Sequence, residues 1–247
     1  INKTSDILKT QSGQLRKRET ARANWIAGVS HDIRTPLSMV MGYAGQLESD
    51  MQLSEDNRQK AAVIVRQSKR MRNLINDLNL ASKLEYNMQP ISPERQNLIA
   101  VVRQVVVDFI NMSIDEKYTI EWETDEELTS CTANVDKDLI KRAVSNLIQN
   151  SMNHNEQGSH IFVRVVAEDT VCTVVVADDG VGATDEQIDK LNNTPHYMVC
   201  DEQTNEQRHG LGLLLVKQII FAHNGIMQIK HSEHGGFEVD LSLPMSV

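Results

Sequence analysis

Cysteine is scarce in this 247-residue sequence, which has only Cys131, Cys172 and Cys200. They form no CxxC pair and leave one over, so neither a disulfide framework nor a zinc site is indicated, and reduced thiols are expected. No run approaches the roughly 18 to 20 apolar residues of a membrane span, and the N-terminus lacks the apolar core of a signal peptide. Membrane contact by this stretch is therefore not expected, and a cytoplasmic setting is. A basic excess is missing too: 25 Lys and Arg face 34 Asp and Glu, a formal charge of -9. A binder of nucleic-acid backbone needs a basic face, so no nucleic-acid partner is expected. Proline is nearly absent from the first part of the chain, where Pro36 stands alone before Glu85. Long helices have that composition. The sequence opens on Ile1 inside a polar helix-forming stretch, and reads as a fragment of a longer protein.

What is present is a normal globular balance, 40% hydrophobic and 24% charged, with length for one large or two ordinary domains. From Ile26 the apolar residues fall on a heptad. Ile26, Ile33, Val40 and Leu47 make one row, and Val29, Pro36 and Tyr43 the other. After a polar break at Ser49 to Asp56, a second helix carries Ile64, Met71 and Leu78 in one row and Ala61, Ser68 and Ile75 in another. Two antiparallel helices cannot enclose a core alone, so a homodimer forming a four-helix bundle is expected. Pro90 and Pro93 end the helical periodicity. The reading is a helical hairpin over 1–87, a linker or hinge over 88–94 and a second domain over 95–247.

In that second domain helices are expected at Leu98 to Met112, Asp138 to Met152 and Leu213 to Ala222. Strands are expected at Tyr118 to Trp122, Ser130 to Val135, Ile161 to Ala167, Val171 to Ala177, Ile226 to His231 and Phe237 to Leu243. An α/β sandwich fits this order.

Four constellations carry chemistry. His31 lies opposite the heptad seam, with Thr35 four residues on and on the same outer face. Asp32 can hold one ring nitrogen and leave the other as a nucleophile. Pro36 removes the helical bond to the Asp32 carbonyl. From its position alone, Thr35 reads as a cap on the carbonyl of His31. The second constellation is Asn146 and Asn150, at i and i+4 on a helix whose buried face is assigned to Leu139, Ala143, Val144, Leu147 and Ile148. Two carboxamides in a cleft suit hydrated Mg²⁺ and phosphate oxygens. The third is Asp178-Asp179-Gly180-Val181-Gly182, directly after an apolar strand. Its glycines admit a flat ligand and its carboxylate can accept from an exocyclic amine, although a plain turn has the same composition. The fourth is Gly210-Leu211-Gly212-Leu213, opening a helix whose free N–H groups suit phosphate.

Ser30-His31-Asp32-Ile33-Arg34-Thr35-Pro36-Leu37 resembles the phosphoacceptor motif of sensor histidine kinases. The later motifs, in order, resemble the asparagine box and the two glycine boxes of that family's ATP-binding domain, a fold shared with DNA gyrase and the heat-shock chaperone ATPase. The resemblance runs from about Asn24 to Leu243. It implies an ATP-dependent enzyme that phosphorylates His31, with Asp32 assisting as base. It also implies transfer to an aspartate of a response-regulator receiver domain, and Thr35 placing water for dephosphorylation of that partner. Asp178 would hold adenine, Asn150 would ligate Mg²⁺, and Asn146 would help. The family commonly has Lys or Arg where Asn153 stands, and His154 is the candidate substitute. The polar stretch from Gly182 to Gly210 reads as a lid over the nucleotide. The family's lid phenylalanine is missing, leaving Tyr197 or Met198 for that place, and Arg208 is the candidate for the γ-phosphate. A full-length protein of this kind is expected to be anchored in the cell membrane through the missing N-terminal region. An ATP-driven clamp without a phosphoprotein is the alternative, and the HDIRTP segment argues against it.

Overall fold

A computed structural model describes residues 2–86, 88–112, 115–193 and 210–246 of the chain. The chain divides into two compact units, Ile1–Gln89 and Pro90–Val247. No described helix is long and apolar enough to cross a membrane.

The first unit is a hairpin of α1 (Asn2–Ser49) and α2 (Glu55–Glu85). Asp50 turns the chain by accepting from the Gln52 amide at 2.9 Å. Ser54 caps α2, which carries Glu55 and Asp56 in its first turn, where acidic groups favour the positive end of the helix dipole. Helix α1 runs through Pro36, whose missing N–H removes one bond without ending the helix.

The contact between the two helices of one chain uses mostly other residues than the rows expected to line the two-chain bundle. Among the described side chains, Ala23, Ser30, Leu37 and Ala44 are the buried residues of α1, and Ala61, Ser68, Ala81, Ser82 and Leu84 those of α2. Small residues allow close approach of the backbones. Of the four expected rows, only Ala61, Ser68 and Ile75 face inward. Ile33, Val40 and Leu47 of α1, with Ile64, Met71 and Leu78 of α2, remain between 36% and 47% exposed in the single chain. These residues flank the internal contact and leave an apolar stripe on both helices.

The second unit has a five-stranded sheet in the order β2 (Tyr118–Trp122), β4 (Ser159–Glu168), β5 (Val171–Asp178), β7 (Phe237–Pro244) and β6 (Ile226–His231). The β2–β4 pair is parallel and the other pairs are antiparallel. Helices α3 (Leu98–Asn111), α4 (Lys137–His154) and α6 (Gly210–Ala222) pack against this sheet and in turn on one another. The register aligns Val163, Val176 and Val239, which are buried with Ile161, Val165, Val174, Leu241 and Leu243 on one face. On the opposite face Arg164 and Lys230 meet the buried carboxylate of Glu238 at 3.4 and 2.9 Å.

Three features depart from expectation. A short strand β1 (Glu94–Asn97) pairs antiparallel with β3 (Thr132–Val135) at the end of the expected linker. Helix α5 (Asp185–Asn193) occupies the front of the stretch read as a lid. Cys131 and Cys172 are joined in a disulfide, with Cα atoms 6.0 Å apart and both residues fully buried. The expectation of free thiols fails for this pair because the fold, rather than local spacing, brings the start of β5 to the loop before β3. Cys200 lies outside the described residues.

Candidate functional site

On α1 the His31 side chain is 76% exposed, and its Nδ1 lies 3.4 Å from Asp32 Oδ1. Its Nε2 makes no hydrogen bond among the described residues. The Thr35 hydroxyl makes none either. The back-bonded hydroxyl of this turn belongs to Ser38, which donates to the Arg34 carbonyl at 2.8 Å. Arg34 in turn donates to Asn76 of α2 at 3.1 Å, bridging the two helices beside His31.

In the second unit the fold brings Asn150, His154, Asp178 and Gly182 to one cavity of about 170 Å³, where they are joined by Ser151, Asn155, Val181 and Phe237. A neighbouring cleft of about 540 Å³ shares His154, Asn155 and Val181 and adds Asn153 and Gly180. Helix α4 holds its part of the wall by burying Ile140, Ala143, Val144, Leu147 and Ile148; Ile140 takes the place assigned to Leu139. Its N-terminus is capped by Asp136, whose Oδ1 accepts from the Asp138 and Leu139 amides. The Asn150 carboxamide makes no hydrogen bond among the described residues. One turn earlier, Asn146 Nδ2 is buried without a partner among the described residues. Asn153 is instead engaged at 3.2 Å by Gln149.

Asp178 ends β5 and is 2% exposed. Its Oδ1 accepts from the amides of Gly180 at 3.0 Å and Phe237 at 3.2 Å. The other carboxylate oxygen takes no hydrogen bond among the described residues, although Asp178 lines the cavity. Asp179 has a different duty, since its Oδ1 accepts from the His160 amide at 2.8 Å and closes the strand end.

Glycine is needed around this carboxylate for steric reasons. A Cβ on Gly180 would fall within the Asn155 carboxamide, and one on Gly236 would meet the carboxylate and carbonyl of Asp178. Gly182 has φ +67°, a conformation that disfavours other residues.

Asn155, which the sequence reading missed, fixes the turn. Its Oδ1 accepts from the Val181 amide at 3.0 Å and its Nδ2 donates to the Ser151 carbonyl at 2.9 Å. Its place at the C-terminal cap of α4 was the available signal. Phe237 and Gly236 had none, because they come to Asp178 through the β5–β7 pairing.

Gly210, Leu211, Gly212 and Leu213 form the first turns of α6, which packs against α4. Leu213 is buried, and nothing crowds the open side of Gly212. Tyr197, Met198 and Arg208 lie outside the described residues, as does the rest of the expected lid beyond Asn193.

Open acceptors, free carboxamides and a glycine cradle fit a nucleotide whose adenine donates an amine and whose phosphates carry a hydrated cation. Comparison with known proteins agrees. Residues 21–87 match the family model of the His Kinase A (phospho-acceptor) domain. Residues 135–247 match that of the histidine kinase-, DNA gyrase B- and HSP90-like ATPase.

Among known relatives, the chain is 30% identical over 231 residues to the sensor histidine kinase YvrG of Bacillus subtilis, covering 93% of this chain and 39% of YvrG. It is 28% identical over 233 residues to the histidine protein kinase DivJ of Caulobacter vibrioides, covering 91% and 37%. The chain therefore spans about two fifths of these relatives' length. Full-length ShkA in complex with AMPPNP has a similar fold, with a TM-score of 0.70 at 21% identity over 91% of this chain and 46% of ShkA. Histidine kinase ThkA, solved with its response regulator TrrA, gives a TM-score of 0.62 at 21% identity, covering 89% of this chain and 60% of that one.

Proposed function

The chain belongs to the sensor histidine kinases of two-component signalling, and on that premise we propose that it phosphorylates its own His31 from ATP and passes the phosphoryl group to a response-regulator aspartate. The observation that carries this reading is the state of His31: exposed, with Nδ1 turned to Asp32 and Nε2 unengaged. In the transfer, Nε2 forms the bond to the γ-phosphorus while the bond to the β,γ-bridging oxygen breaks and ADP leaves. Asp32 receives the proton from Nδ1. Positioning and charge neutralisation supply the acceleration.

In the second unit, the free oxygen of Asp178 accepts the adenine amine between Gly180, Gly182 and Gly236. Asn150 would hold Mg²⁺, with Asn146 and His154 nearby on α4. The buried, unpartnered Nδ2 of Asn146 supports a polar ligand there, because native proteins seldom leave such groups unmet. Mg²⁺ bound there would neutralise phosphate charge. The first turns of α6, from Gly210 to Leu213, offer N–H groups to the phosphates, with Arg208 and Tyr197 assigned to the lid.

The division at Gln89 and Pro90 supports a hinge over 88–94, about which the nucleotide unit swings toward His31. The exposed apolar stripe on α1 and α2 supports pairing with a second copy as a four-helix bundle. ThkA, solved with its response regulator, supports a receiver domain as partner. Use of ATP supports a cytoplasmic setting for this part of the protein. Thr35, exposed one turn beyond His31 with its hydroxyl free, is assigned to hydrolysis of the partner's phosphoaspartate.

The transfer step is tested by labelling the chain with γ-labelled ATP, removing the nucleotide and adding a receiver domain. The label is expected to leave the chain and appear on the receiver's aspartate. A chain that keeps its label with every receiver offered contradicts phosphotransfer.

A further inference from the structure

His223, at the C-terminal end of α6, has no part in the scheme above, yet it is 5% exposed and both ring nitrogens are engaged. Nε2 lies 2.9 Å from the Asp136 amide. A backbone amide can only donate, so Nε2 is the bare acceptor and the ring proton sits on Nδ1. That proton is donated to the Ile219 carbonyl at 2.7 Å. The last turn of α6 leaves this carbonyl open, because the His223 and Gly225 amides both donate to Ile220 and the Asn224 amide to Phe221. The chain then reverses at Asn224 with φ +57°.

Asp136 is the other half of the arrangement. Its Oδ1 caps α4, while its Oδ2 accepts from the Ser92 amide at 3.2 Å. Ser92 is the third residue of the unit that begins at Pro90. One hydrogen-bonded path therefore runs from the entering chain through Asp136 into the start of α4, and through the Asp136 amide and His223 into the end of α6. Helix α4 carries Asn146 and Asn150, and α6 carries Gly210 to Leu213. The two helices proposed to hold the phosphates are tied at this point to each other and to the segment that leads in from the hairpin.

We propose that His223 is a positioning residue: through Asp136 it couples the entry segment at Ser92 to both nucleotide-bearing helices, so that they hold the phosphates in register for transfer. This inference rests on the kinase reading. A displacement of the entry segment moves α4 and α6 together while the path is intact, and uncouples them when it is cut.

Two substitutions split the imidazole into its halves. In His223→Asn the Nδ2 amide stands where Nδ1 does, keeping the cap on Ile219 and losing the link to Asp136. In His223→Gln the Oε1 stands where Nε2 does, keeping the link and losing the cap.

With the full chain, His31 labelling is measured at saturating ATP, alongside affinity for a non-hydrolysable ATP analogue and melting temperature. The asparagine variant is expected to label about tenfold more slowly or worse, as small misplacements of reacting groups do, with analogue affinity within about twofold. The glutamine variant is expected to stay close to wild type. Equal losses in both variants, or an asparagine variant as fast as wild type, would overturn the coupling.

Amide exchange at Ser92 and in the first turn of α4 supplies a readout that does not depend on catalysis. Both sites should exchange faster in the asparagine variant than in the glutamine variant, and equal exchange in the two also overturns the proposal. A wild-type chain that takes no label would refute the kinase reading instead, leaving the exchange result to decide the coupling.

Discussion

His31 and Thr35 share one exposed face of α1 but are placed for different work. The imidazole has one nitrogen turned to Asp32 at 3.4 Å, whereas the Thr35 hydroxyl is bonded to nothing among the described residues. Had Thr35 served as a cap, its hydroxyl would have engaged the carbonyl of His31; in this turn Ser38 makes such a bond instead, to Arg34. The water-placing role is the one proposed for Thr35. On it, Thr35→Ala should keep most His31 labelling while losing about tenfold or more of the dephosphorylation of a phosphorylated receiver. Both activities are to be measured on one preparation. Equal losses would return Thr35 to a structural part, and undiminished dephosphorylation would remove it from the mechanism. At this scale the motifs were legible because their chemistry is local: His31 with Asp32, Asp178 with Gly180. Asn155 and Phe237 were not. Asn155 acts through the Val181 amide 26 residues away, and Phe237 meets Asp178 across 59 residues.

Elements with a clear apolar period were legible in the same way. Strands β2 and β6 begin and end at the expected residues, and α3 and α4 fall within a residue or two of expectation. Strand β1 escaped because Glu94-Arg95-Gln96-Asn97 is wholly polar. Its place is set by pairing with β3 and by Asn97, whose Oδ1 accepts from both Ile99 and Cys131. Helix α5 escaped because it buries no residue and is held by polar groups. The Asn192 carboxamide donates to the Ile229 carbonyl at 2.8 Å and accepts its amide at 3.0 Å, standing in for a neighbouring strand at the β6 edge. His231 meets Asp185 at 2.7 Å at the other end of α5. Beside this edge Lys230 binds Asp240 at 2.8 Å and Glu238 at 2.9 Å, and its pKa is raised above 10.5, chiefly by the hydrogen bond to Asp240, against burial. A raised lysine stabilises fully below its unfolded value and loses that contribution as pH rises through the folded one. The melting-temperature advantage of wild type over Lys230→Met should therefore hold below about pH 10.5 and vanish above the folded value. An advantage independent of pH would mean that packing of the lysine stem, rather than its charge, is responsible.

The molecule as a whole consists of a hairpin and a nucleotide unit, and its apolar pattern reads as the seam of a bundle formed by two chains, most of which the contact within one chain does not use. The periodicity of Ile33, Val40, Ile64 and Met71 is genuine. Within one chain, however, the small residues Ala23, Ser30, Ala44 and Ala61 take the interior and leave the larger row outside. A heptad reports a buried seam without saying which helix covers it. If that row is the dimer interface, wild type should sediment as a dimer, and Val40→Glu with Met71→Glu should sediment as a monomer at the same concentration. A variant that remains dimeric would place the interface elsewhere. Both units converge on the claim that ATP's γ-phosphoryl ends on one imidazole nitrogen. The most direct measurement compares wild type and His31→Gln after incubation with γ-labelled ATP, with ATP affinity recorded on the same samples. The account predicts a wild-type label lost in acid and stable in base, no label on His31→Gln, and nearly unchanged nucleotide affinity. A label that persists on His31→Gln, or one that survives acid and is lost in base, would contradict it.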